Sequence, residues 1–198
     1  MKYFLIVVFL WAMSSCGAPP KPKPPIVEKD ISKEETETNS IITMSNIPED
    51  AISGNFSLNA APFYAAVEVV DSEKETTTIS FEDETIEKIT IPEAIGASLS
   101  SVRFDQFDQD VLVVNTTYKD PIFRKYYLYI LKDSQWKLVV DGFIIHVENM
   151  SGDGVPIKPH PSQSNKMIRS YSVFDMDQES DTKYMWILHE EETEILNR

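Results

Sequence analysis

The chain has 198 residues, with 18 basic and 32 acidic side chains and a formal net charge of −14. No basic cluster stands outside residues 17–45, which argues against nucleic acid and anionic lipid headgroups as partners. The lone cysteine, Cys16, excludes an internal disulfide framework and a dithiol redox centre, so the fold has to rest on its apolar core.

In chain order, the first element is a targeting segment. Lys2 supplies a positive charge, and residues 3–12 (YFLIVVFLWA) form an unbroken apolar run. That run is shorter than the ~20 residues a membrane-spanning helix needs, and it has the layout of a secretory signal. Ser14 and Ser15 then bring small side chains up to the cysteine. The stretch Met13-Ser14-Ser15-Cys16 resembles the lipobox of bacterial lipoproteins, with Met13 where that family usually carries leucine. The resemblance implies a signal peptide over 1–15, cleavage before Cys16, and diacylglycerol and palmitate-type acyl chains on that residue. Each buried acyl methylene contributes about 0.8 kcal/mol, so two or three chains hold a protein to a bilayer essentially permanently. Lipoproteins of this kind are usually kept at the inner membrane by Asp after the cysteine. Gly17 stands there instead, and "GAPPKPK" lacks the acidic cluster that sends some lipoproteins to the cell surface. The resemblance therefore implies the outer membrane, periplasmic face.

Residues 16–45 read as a lipidated cysteine followed by a tether. "PPKPKPP" (19–25) favours extended polyproline II, and the acidic, Thr/Ser-rich 27–40 has no apolar periodicity. Fully extended, the segment reaches roughly 80–90 Å at ~3.1 Å per residue.

Residues 46–198 are long enough for one domain with a substantial core. Their apolar residues come in short runs of β-branched and aromatic types, among them "TTTISF", "DVLVV", "KYYLYIL", "WKLVV" and "KYMWIL". These lengths predict strands. Residues 46–53 and 90–96 carry early prolines with acids behind them, suiting a turn or two of helix. Three polar quartets, at 82–85, 132–135 and 189–192, each sit between an apolar strand end and another apolar stretch. They suggest three strand–loop–strand–turn–strand units with the look of propeller blades, too few to close a propeller. Residues 124–131 are apolar on both sides of the pleat, as a central strand covered on both faces is. In 136–140, Trp136, Leu138 and Val140 alternate with Lys137 and Val139 as in a half-buried neighbour. The predicted fold is all-β, with antiparallel meanders forming a sandwich or open barrel.

Candidates for chemistry are few. His146, His160 and His189 lack a second ligand at metal-binding spacing, and no GxSxG, SxxK or phosphate loop occurs. His146 is expected to pack or lie exposed near a strand end, His160 to be exposed between prolines, and His189 to open an acidic turn. The loop "DMDQESD" places Asp175, Asp177, Glu179 and Asp181 at alternate positions, like the opening of a calcium loop. Ser180 replaces the turn glycine, however, and Trp186 occupies the position of the bidentate glutamate. No ordered cation is expected there, and no cofactor elsewhere. Aromatic residues concentrate in the predicted hairpins. Tyr126 and Tyr184, each beside a lysine, are the candidates for a ligand-stacking platform. The expectation is a membrane-anchored, non-catalytic envelope lipoprotein that binds a partner protein or serves as an assembly subunit. The alternatives are an anchored carbohydrate- or peptide-binding module using those aromatics and, third, a hydrolase without a recognisable motif.

Overall fold

A computed structural model describes residues 47–58, 61–150, 152, 154–177, 179 and 183–197. The chain divides into two units, Met1–Ile42 and Thr43–Arg198, of which the first lies outside the described residues, Cys16 included. Three antiparallel meanders build the second. Sheet A runs β1 (Ile52–Gly54), β2 (Phe63–Asp71), β3 (Thr76–Phe81), β4 (Ile89–Pro92). Sheet B runs β5 (Ala97–Val102), β6 (Val111–Thr117), β7 (Phe123–Lys132), β8 (Gln135–His146). In sheet C, β10 (Lys166–Met176) lies between β9 (Ile157–Pro159) and β11 (Tyr184–Glu194). A 3-10 turn, Val147–Asn149, follows β8. Among the described residues there is no α-helix, and no helix is long and apolar enough to cross a membrane.

Sheet B is the central layer because its strands are apolar on both faces. Along β6, Val111 and Val113 join one buried cluster and Leu112 and Val114 join another. β7 divides the same way: Tyr126, Leu128 and Ile130 enter the first cluster, while Leu131 enters the second with Tyr127 and Tyr129 packed against it. The first cluster reaches Ile157 and Met167 of sheet C, and the second reaches Phe63, Ile79 and Ile91 of sheet A. Fully burying one such side chain stabilises by roughly 1.5–3 kcal/mol, so both interfaces are substantial.

Polar contacts fix how the layers join. The Asn55 N–H donates to Asp110 Oδ2 at 2.8 Å, and the Asp110 N–H returns a bond to the Asn55 carbonyl at 2.8 Å. Beside them, a Cβ on Gly54 would sit 2.5 Å from both the Phe56 ring and Ser101 Oγ, so only hydrogen fits there. Sheet C is tied to β8 by the Leu196 N–H on the Val139 carbonyl, 2.9 Å, and by Asn197 Nδ2 on the Leu138 carbonyl, 2.8 Å.

Tyr129, stacked on Tyr127 at 6.3 Å, lies on the side of β7 that faces sheet A. Burial, with the neighbouring Tyr127, pushes its phenol up to about 12 from 10.0. A phenol raised in the folded state contributes stability that is whole below its unfolded pKa and lost as pH rises through the folded one. The denaturation midpoint is therefore expected to hold steady up to about pH 10 and fall between pH 10 and 12. Tyr129→Phe should remove part of that fall; an identical alkaline profile in the variant would refute the assignment.

The all-β antiparallel architecture agrees with the sequence, as does the doubly covered β7. The quartet at 132–135 is a turn: β7 ends at Lys132, β8 begins at Gln135, and Asp133 and Ser134 have φ of 51° and 59°. Two consecutive left-handed residues match the twist of a two-residue hairpin. Residues 82–85 also lie in a turn, between β3 and β4. The third quartet is corrected. Residues 189–192 lie inside β11, because cations on β9 and β10 receive its glutamates across the ladder. Sheet C thus completes itself with β9, upstream, rather than with a strand after the quartet. The helical turns are corrected too. Around residue 48 there is a single turn, closed by the Ala51 N–H on the Pro48 carbonyl at 3.0 Å, and residues 90–92 belong to β4. The alternation in 136–140 breaks at Val139. Leu128 pairs with Val140 and Tyr129 with Leu138, so a bulge turns both valines into one cluster.

Candidate functional site

The two tyrosines singled out from the sequence have opposite fates. Tyr126 is 6% exposed, its ring stacked on Phe143 at 5.7 Å and its hydroxyl receiving Asn115 Nδ2 at 3.3 Å. Burial raises its phenol above the usual range. It leaves little surface exposed, since it points the same way as Leu128 and Ile130 while Lys125 points the other way. Tyr184 opens β11 at the end of the β10–β11 hairpin and is 55% exposed.

Around Tyr184 the hairpin assembles an apolar surface. Phe174 pairs with Trp186, and Met176 with Tyr184, so all four share one face. Phe174 lies 5.7 Å from Tyr184 and 5.3 Å from Trp186. Trp186 is the fixed member: it stacks on His146 at 4.8 Å and meets Phe123 edge-on at 5.1 Å, both from sheet B. The Ser172 hydroxyl receives the His146 N–H at 2.8 Å, holding the same junction. Phe174, Met176 and Leu188 stay 56%, 42% and 44% exposed. Their sequence signature was legible in hindsight: apolar residues at alternate positions about the acidic loop, F-x-M running into it and Y-x-W-x-L after it.

Asp175, Asp177 and Glu179, the described acids of the loop, stand at this end of the hairpin. Asp175 Oδ1 accepts the Met176 N–H at 2.7 Å, and Asp177 Oδ1 accepts the Glu179 N–H at 3.0 Å. These bonds shape turns and leave the carboxylates without an ion pair among the described residues. Asp181 lies outside those residues. Among them no group of three or more His, Cys, Asp or Glu side chains is placed to hold a metal ion.

The other half of the hairpin is charged and largely paired within sheet C. Lys158 meets Glu190 at 2.7 Å, Arg169 grips Glu191, Lys166 meets Glu192 at 2.8 Å, and Asn165 donates to Glu194 at 2.9 Å. The Lys166 ammonium, and then His160, hold the Glu192 carboxyl below the usual carboxylate range.

Two of the histidines differ from expectation. His160 is shielded, its side chain 9% exposed, with Nδ1 receiving the Ser162 and Gln163 N–H groups and Nε2 at 3.1 Å from Glu192. The bonds assign the ring proton to Nε2, and the Ser162 hydroxyl, 3.5 Å from Nδ1, meets a lone pair already engaged. His189 does not open a turn; it is half-buried in β11 against Tyr171, 6.0 Å away. His146, expected either to pack or to lie exposed, is packed. A cleft of about 280 Å³ between sheets B and C has Tyr126, Ile145, Ile168 and Ser170 in its walls and the Lys158–Glu190 pair at its lining.

No protein-family model, curated protein or solved structure matches the chain.

Proposed function

We propose that the protein is a membrane-anchored, non-catalytic envelope lipoprotein that binds a partner protein through the distal half of the β10–β11 hairpin. The observation that carries the reading is the exposed face of Phe174, Met176 and Tyr184, held in place by the buried flank of Trp186. Exposed apolar surface of this kind, rimmed by polar groups, marks interaction sites, and rigid aromatics are the usual anchors. The lipobox-like stretch ending at Cys16 and the Pro-rich segment behind it support a body held at a distance from the outer membrane, on its periplasmic side. A carbohydrate-binding module has less support, because Tyr126 is occupied by Phe143 and the exposed rings stand on an open hairpin.

The test is site-specific photo-crosslinking in intact envelopes. A photoreactive residue at position 174 should give one discrete protein adduct. The same group at Val69, equally exposed on sheet A, should give none. Tyr184→Lys should abolish the adduct at 174. Equal adducts from both positions, or none from 174, would refute the proposal.

A further inference from the structure

We infer that the partner of the distal hairpin is an extended, cationic segment that adds as a strand to the outer edge of β11 along Tyr184, Trp186 and Leu188. The inference rests on the partner-binding reading above and gives the partner its chemistry. β11 ends sheet C, and among the described residues the backbone of 184–194 has no partner strand beyond β10. An edge of this kind is a template for another strand unless charge protects it. Protection is confined to one half. Residues 189–194 carry glutamates, whereas Tyr184, Met185, Trp186, Ile187 and Leu188 carry no charge at all.

Charge then selects the occupant. The described part of the tip sets Asp175, Asp177 and Glu179 against the single ammonium of Lys183, and none of the three acids is in an ion pair among the described residues. In the other half Glu190, Glu191 and Glu192 each meet a cation of β9 or β10 and Glu194 meets the Asn165 amide, whereas the tip acids beside the apolar edge have no such partner among the described residues. A second copy is a poor occupant. The edge it would offer carries no cation from Tyr184 to Leu188 to set against the tip carboxylates. On an incoming strand, lysines or arginines on one face meet Asp175, which points away from Phe174 and Met176, while the alternate side chains cover the exposed rings of Phe174 and Tyr184. Main-chain bonds to the edge supply affinity and the alternating side chains supply selectivity, as in strand-addition recognition generally.

The experiment uses the full chain in neutral detergent micelles and a fluorescent, capped decapeptide alternating lysine and valine, with glutamate–valine as its counterpart. The lysine peptide should bind with salt-sensitive affinity and the glutamate peptide should not. Tyr184→Lys should weaken binding by about tenfold or more, the loss of one anchor of about 1.4 kcal/mol. Asp175→Asn combined with Asp177→Asn should weaken it and flatten its salt dependence, and Val69→Lys should leave it unchanged. Circular dichroism verifies the fold of each variant, and Phe174→Ser replaces Tyr184→Lys if the latter unfolds. Equal affinity for the two peptides, or full affinity in a folded Tyr184→Lys or Phe174→Ser chain, would overturn the inference. A crosslinked partner at position 174 with no lysine-peptide binding would overturn the cationic-strand chemistry and leave partner binding standing. Peptide binding with no envelope adduct would do the reverse.

Discussion

Leu128→Ala should destabilise the body by roughly 2–5 kcal/mol, and Leu112→Ala by a similar amount, because each removes a large side chain from a site with no room to collapse. Both leucines are 0% exposed, yet they enter different clusters: Leu128 faces sheet C and Leu112 faces sheet A. The central sheet is therefore the shared wall of two cores, and a cavity on either side weakens the junction of two layers. A domain of ordinary stability has only about 5–15 kcal/mol to lose, so a variant with both changes should be largely unfolded at room temperature. Val69→Ala, at a 50% exposed position on β2, should stay within about 0.5 kcal/mol of the parent. Urea denaturation followed by tryptophan fluorescence reads all four chains. A loss below 1 kcal/mol for Leu128→Ala, with an unchanged denaturant slope, would mean that sheet B is not the doubly buried layer described.

That central layer was legible from sequence because a strand apolar on both sides of the pleat has only one stable environment. Two apolar faces require two covering layers, and the run 124–131 states this in its composition alone. The quartet at 132–135 was legible for a similar local reason, since a short polar break between two long strands leaves little but a tight turn. The quartet at 189–192 misled because polarity records exposure, and an edge strand is exposed as surely as a turn is. What decides between them is the set of cations opposite: Lys158, Arg169 and Lys166, distant in sequence and brought into register by sheet formation. The exposed position expected of Tyr126 was misread on the same principle. Its neighbour Lys125 suggested an exposed end, but successive side chains in a strand point to opposite faces, so a flanking lysine says nothing about which way the tyrosine points. The aromatic surface of the distal hairpin needed the register as well. Phe174 and Trp186 are far enough apart in sequence that only the pairing of β10 with β11 makes them neighbours.

Cys16→Ser should convert the protein from a membrane-held to a soluble or precursor form, the largest change any single substitution is expected to produce. The argument is chemical. Thioether attachment of a diacylglycerol needs a sulfur nucleophile, and the chain has no other cysteine to take its place. A serine hydroxyl at position 16 is close in size but far less nucleophilic near neutral pH, so it supplies shape without the reaction. Cleavage in front of the residue depends on prior lipidation in the family that Met13-Ser14-Ser15-Cys16 resembles, so the variant should retain residues 1–15. Without acyl chains, each of which contributes about 0.8 kcal/mol per buried methylene, nothing in the strongly acidic body favours an anionic membrane surface. Metabolic labelling with a palmitate analogue, membrane flotation and mass spectrometry of the N-terminus should show no label, loss from the lipid fraction and an unprocessed chain in the variant. In the parent they should show label, flotation and a mature N-terminus at Cys16. A parent N-terminus at any other residue, or flotation of the variant equal to the parent, would remove the lipid anchor from the proposal. The binding surface of the β10–β11 hairpin would then have to be tested as that of a freely diffusing protein.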